Sequence, residues 1–206
     1  MVVKIVVKPH ILTILKFFVT LTKMENHMNK VIILEGLPGV GKTTITKYIN
    51  EHYKNVKTIS ELILDNMPSY NSCNQDWFMQ NDDKKIGLIK KGITIIDRGP
   101  ISTLSYNQTR YITDKNYNFN LNAIVNWFEK YQSFFKQSNV YIYYLTNNGL
   151  KYSLTLPFEN DPYGSKDNQN LLDNITIYNC KKYASHFKQI SYFQNNMEDL
   201  ISEILN

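Results

Sequence analysis

The run Gly36-Leu37-Pro38-Gly39-Val40-Gly41-Lys42-Thr43, followed by Thr44, narrows what this chain can fold into more than any other segment. It matches G-x-x-x-x-G-K-[ST] in full. It also stands between a short β-branched apolar run, Val31–Leu34, and a segment of helical character from Lys42 to about Tyr53. Glycines at 36, 39 and 41 let the main chain turn tightly, so that its N–H groups point inward at a phosphate. The helix beginning near Lys42 adds its positive dipole end. Lys42 can reach β- and γ-phosphate oxygens, and Thr43 offers a hydroxyl to Mg2+. Pro38, Val40 and Thr44 belong to the same cradle. Strand, loop and helix in this order imply binding of ATP or GTP.

The rest of the chain repeats the strand–helix alternation. Val56–Ile59, Ile93–Ile96, Val140–Leu145 and Ile190–Phe193 read as further buried strands. Helices are expected from Asp76 to Lys91, with Asp76 as cap and Gly92 as terminator, from Leu121 to about Gln137, from Leu171 to Phe187 and over Met197–Leu205. Residues 66–74 read as loop, and residues 147–170 are polar and rich in turn residues. No internal repeat is present. The pattern predicts an α/β fold: a doubly wound, five-stranded parallel sheet.

Composition bounds the alternatives. The chain has 206 residues and 24.2 kDa, enough for one domain with an appendage. Only 8 glycines and 6 prolines exclude a collagen-like chain. Cys73 and Cys180 lie far apart, which argues against a disulfide scaffold or zinc module and for a reducing, cytoplasmic setting. His10, His27, His52 and His186 are scattered and suggest neither a metal site nor a triad. The net charge is +5, but residues 1–29 set Lys4, Lys8, Lys16 and Lys23 against Glu25 alone. The remainder is nearly balanced, so no nucleic-acid partner is expected.

Residues 1–29 read as an N-terminal extension, and residues 30–206 as the domain proper. The apolar stretch Ile11–Leu21 is short and interrupted by Lys16; a membrane span needs roughly 20 apolar residues. The lack of acids before Glu25 leaves an organelle-targeting role open for residues 1–23. Met24 and Met28 stand just before the first strand as alternative starts.

A second chemical signal is the apolar run Ile93–Ile96 ending at Asp97, with Arg98 next. In a sheet of this kind a strand-end carboxylate sits beside the phosphate loop, where it can hold Mg2+ or its waters. Arg98 could neutralise charge as it develops on a transferred phosphoryl group. Arg98 and Arg110 are the chain's two arginines among 23 basic residues, which makes a casual surface role less economical. The plain alternatives are a turn residue for Asp97 and a surface ion pair for Arg98.

Leu34-Glu35-Gly36 through Lys42-Thr43-Thr44, together with Asp97-Arg98, resemble the thymidylate kinase and deoxynucleoside kinase group of P-loop kinases. Thymidylate kinases follow their Asp-Arg with a Ser and then Ala-Tyr-Gln; here Ser102 and Tyr106 fall in register and Asn107 takes the Gln place. Deoxynucleoside kinases carry a Glu just before the first loop glycine, as Glu35 does, and a Phe-x-x-Gln that reads the base. Trp77-Phe78-Met79-Gln80 resembles the latter. The resemblance implies a P-loop fold of the nucleotide-kinase type, ATP and Mg2+, a small nucleoside or nucleotide substrate, and a homodimer by analogy. It also implies a lid near residues 147–170. Family lids bring arginines; this segment has none, and Lys151 and Lys166 are its only cations.

The acceptor follows from charge. A nucleoside offers a neutral hydroxyl and benefits from a carboxylate base, for which Glu35 is the candidate. A monophosphate needs cations, and Arg98 with Arg110 or a lysine could supply them. The Ser102-to-Asn107 run favours the monophosphate. Glu35 with Gln80, and the poverty of arginine, favour the nucleoside. Glu61, at the end of the second strand, could face the acceptor sugar or the metal, and Trp77 and Phe78 could form an apolar slot for a base. Other classes remain: another small-molecule kinase, a motor or ATP-sensing regulator, a binding-only pseudokinase, or a GTPase. The last is disfavoured because Thr146-Asn147-Asn148-Gly149 stands where a guanine-reading Asn-Lys-x-Asp is required.

Overall fold

The structure is a computed structural model, and it describes residues 29–68, 75–117, 119–146, 165–191 and 197–205. Five strands form one sheet: β1 (Lys30–Glu35), β2 (Val56–Ile59), β3 (Ile93–Asp97), β4 (Val140–Thr146) and β5 (His186–Ser191). The order is β2-β3-β1-β4-β5, with every pairing parallel. The helices are α1 (Lys42–His52), α2 (Gln75–Gly87), α3 (Pro100–Thr113), α4 (Leu121–Glu129), α5 (Gln132–Phe135), α6 (Lys166–Tyr183) and α7 (Met197–Leu205).

β1 is central because its side chains are apolar on both faces. Ile33 and Val31 point into one core with Ile96, Tyr144, Leu104 and Phe128. Ile32 and Leu34 point into the other with Ile45, Ile49, Leu200 and Ile204. Each such buried aliphatic side chain contributes about 1.5–3 kcal/mol. Helices α1 and α7 therefore cover one face, while α3, α4 and α5 cover the other. The doubly wound parallel sheet read from the sequence is thus observed.

Several boundaries move. The helix expected from Asp76 to Lys91 ends at Gly87. Leu88 N–H still bonds back to the Lys84 carbonyl at 3.1 Å, and Gly92, at φ 94°, instead makes the turn into β3. The helix expected over residues 121–137 is broken into α4 and α5 at Lys130 and Tyr131. Helix α6 begins five residues before the expected Leu171, because the Ser165 side chain accepts from Asn168 N–H. It stops at Tyr183, and His186–Ser191 is taken into β5. Helix α3 is absent from the expected elements, although Pro100 suits a first turn. The extension up to residue 28, Cys73 and residues 147–164, with Lys151, lie outside the described residues. Among the described residues no helix is long and apolar enough to cross a membrane.

Candidate functional site

The carboxyl ends of β1, β2 and β3 open onto one cleft of about 560 Å3, where an open parallel sheet places its ligands. The phosphate loop forms one wall. Pro38, Gly39, Gly41, Lys42, Thr43 and Thr44 line the cleft. Gly36 and Val40 stand behind it: Val40 is buried in the core, and a Cβ at Gly36 would lie 2.6 Å from the Leu145 carbonyl oxygen. Gly36 also sits at φ 136°, so no other residue suits that turn. Gly41 caps α1 at φ 94°. Lys42 Nζ donates to the carbonyls of Gly36 and Leu37 at 2.9 and 2.8 Å. Burial, with Arg98 nearby, pulls its pKa down to about 7.

At the end of β3, the Asp97 carboxylate accepts the Thr43 hydroxyl at 2.8 Å through Oδ2. Its Oδ1 is buried with no hydrogen-bond partner. Burial and the neighbouring Glu61 push its pKa up. Arg98 adopts φ 57°, the left-handed region, which costs a non-glycine residue about 1–2 kcal/mol. Its N–H donates to the Leu34 carbonyl at 3.0 Å. Its guanidinium lies 2.8 Å from Glu61 Oε1 and 5.2 Å from the Tyr106 ring centre, and reaches the Ser102 hydroxyl at 3.4 Å.

Helix α3 builds the opposite wall. Ser102, Tyr106 and Arg110 recur every four residues along it, as one helical face does, and they line the cleft with Arg98 from the turn that precedes the helix. Arg110 pairs with Asp114 at 3.1 Å and lies over the Tyr117 ring. Glu35 does not line the cleft. Strand alternation sends it to the same face as Ile33, beneath the start of α3, where it is fully buried. It accepts from Gly99 N–H at 3.1 Å and from the Ser102 hydroxyl. Burial pushes its pKa up to about 7, against the Ser102 hydrogen bond and the Arg98 charge. The carboxylate assigned as a base therefore meets the cleft through Ser102 rather than directly.

Helix α2 supplies the third wall. Phe78 lines the cleft, but Trp77 does not: its indole N–H donates to the Asp65 carbonyl at 3.2 Å. Gln80, expected to read a base, is exposed and off the cleft wall. Two residues past Phe78, it falls on the far side of the helix. Gln75, Asn81, Asp82 and Lys85 take the cleft face instead. None of these four carried a signal in the sequence beyond helical spacing from Phe78. Lys166 is exposed at the first turn of α6 and does not line the cleft. Among the described residues no cluster of three or more His, Cys, Asp or Glu could hold a metal.

No family model matches this sequence, and no curated protein does. Solved structures do match in fold. Bacillus subtilis YorR, in complex with phosphorylated GDP, is 15% identical with a TM-score of 0.54, over 85% of this chain and 94% of that one. Thymidylate kinase from Candida albicans is 16% identical with a TM-score of 0.53, over 85% and 88%. Deoxyadenosine kinase from M. mycoides with bound dATP is 14% identical with a TM-score of 0.58, over 85% and 97%. The chain has the P-loop fold that these structures share.

Proposed function

We propose that this chain is an ATP- and Mg2+-dependent kinase whose acceptor is a nucleoside monophosphate. The observation that carries the reading is the wall made by Arg98 after β3 with Ser102, Tyr106 and Arg110 along α3, which shares one cleft with the phosphate loop. Two guanidinium groups beside a triphosphate cradle suit an acceptor that is itself anionic. The likeness in fold to thymidylate kinase and to deoxyadenosine kinase supports the same class of reaction.

Main-chain N–H groups of the loop from Gly36 to Thr44, Pro38 excepted, and the Lys42 ammonium hold the donor phosphates, whose charge favours the protonated lysine. Magnesium suits the residues present: Asp97 Oδ1 is buried and unpartnered, and Thr43 offers a hydroxyl. Thr43 and Asp97 would hold the ion, which when bound neutralises phosphate charge. Arg98 brings positive charge to the acceptor side, and Phe78 offers an apolar surface to a base. An acceptor oxygen then attacks the terminal phosphorus and ADP leaves, with the residues supplying position and charge.

A second reading, a nucleoside acceptor, is favoured by the Glu61 carboxylate 2.8 Å from Arg98 Nε, which an incoming phosphate would have to displace. ADP release with a panel of nucleosides and monophosphates separates the two. The first reading expects monophosphates to be turned over at least about tenfold faster. The reverse order installs the second, and silence with every acceptor removes both.

A further inference from the structure

Helix α2 carries three side chains at four-residue spacing that reach across to main-chain atoms of the loops after β2 and β3. Trp77 holds the Asp65 carbonyl, and Asn81 accepts from Ile63 and Leu64 N–H and donates to the Glu61 carbonyl. Lys85, 1% exposed, donates to the carbonyls of Asp97 at 2.9 Å, Arg98 at 2.7 Å and Glu61 at 3.2 Å, and pairs with Asp82 at 3.3 Å. Asp82 in turn accepts the Thr103 hydroxyl of α3 at 2.7 Å.

We propose that Lys85 is a positioning residue: by gathering the Asp97, Arg98 and Glu61 carbonyls onto one ammonium, it holds Arg98 in the left-handed conformation that turns its guanidinium into the cleft. A buried ammonium is costly unless its protons are all taken, and here three carbonyls and a carboxylate converge on it. Arg98 is gripped at both ends of its backbone, through N–H by Leu34 and through its carbonyl by Lys85. That double grip explains how a non-glycine residue keeps φ 57°. The same ammonium fixes Glu61, so both partners of the Glu61–Arg98 pair hang from one side chain. Lys85 thus acts through Arg98 and Glu61, and its catalytic consequence rests on the kinase reading above.

The test pairs a backbone readout with a kinetic one. In a crystal structure of Lys85→Met, Arg98 should leave the left-handed region and lose Glu61. The kcat for transfer should fall about 10- to 100-fold, as misplaced groups cost, while the ATP Kd stays within about twofold. Lys85→Met combined with Arg98→Ala should be no slower than Arg98→Ala alone. Lys85→Arg keeps the charge and serves if Lys85→Met does not fold. Its kcat should fall short of the parent's, because a planar guanidinium cannot meet convergent carbonyls as an ammonium does. An unmoved Arg98 in Lys85→Met, losses that add in the double variant, or a parental kcat in Lys85→Arg would overturn the proposal. If the parent phosphorylates no acceptor, the kinase reading falls on its own, and the Arg98 backbone in the variant still decides for or against the lock.

Discussion

On the proposed donor side of the cleft the wall is one continuous loop, residues 36–44, which offers a ligand main-chain N–H groups at every position but Pro38. On the proposed acceptor side they are side chains from separate elements: Glu61 after β2, Phe78 and Asn81 on α2, Arg98 after β3, and Ser102, Tyr106 and Arg110 on α3. The donor side needs only a tight turn and one lysine. The acceptor side needs buried polar partners that reach across the fold, such as Thr103 on Asp82 and Ser102 on Glu35. A main-chain cradle tolerates most changes that keep its glycines, whereas a side-chain wall can be retuned one residue at a time. The reaction class should therefore reside in the first and the choice of acceptor in the second.

Substitutions on the two sides can break this division. The largest effect is expected from Lys42→Ala, which should lower transfer by on the order of 10^3-fold for every acceptor, read from initial rates of ADP release. A loss confined to one acceptor would place Lys42 on the wrong side of the comparison.

Glu35→Gln comes next, read by urea unfolding across pH. The folded-state pKa of about 7 lies above the ordinary carboxyl value of 4.5. The folded chain then holds the extra proton between those values, and stability falls as pH rises through that window. The fall is at most about 3 kcal/mol. The neutral amide lacks this dependence, so Glu35→Gln should gain on the parent from pH 5 to pH 8. Parallel curves would show that Glu35 is not buried as described.

The smallest effect belongs to Asn81→Ala. Freeing the loop at residues 61–64 should cost about 1–2 kcal/mol of stability and raise the acceptor KM roughly fivefold, with ATP affinity unchanged in a direct titration. A weakened ATP affinity would mean that the two sides are coupled through α2.

The unequal legibility of the two sides has the same origin. Local spacing encodes the phosphate loop, so Gly36 to Thr44 and the strand-end Asp97 could be read directly, and alternation of apolar runs gave the parallel sheet. Glu35 is legible as a residue, but its place under α3 depends on β1 alternation combined with a helix, Pro100–Thr113, that is absent from the expected elements. Gln80 stands out only by its resemblance to a Phe-x-x-Gln motif, which does not say which face of α2 meets the cleft; Gln75, Phe78, Asn81, Asp82 and Lys85 take that face. By sequence alone Lys85 is indistinguishable from a solvated helix lysine. It becomes informative only when Asp97, Arg98 and Glu61 are brought from distant segments to meet it.

In the proposed reaction a terminal phosphoryl group passes from the cradle to an acceptor held at the α3 wall. Incubation with ATP labelled at the γ-phosphate, Mg2+ and a mixture of nucleoside monophosphates tests this directly. Label in a nucleoside diphosphate is the predicted result. Label recovered only as inorganic phosphate, or left wholly on ATP, would contradict it.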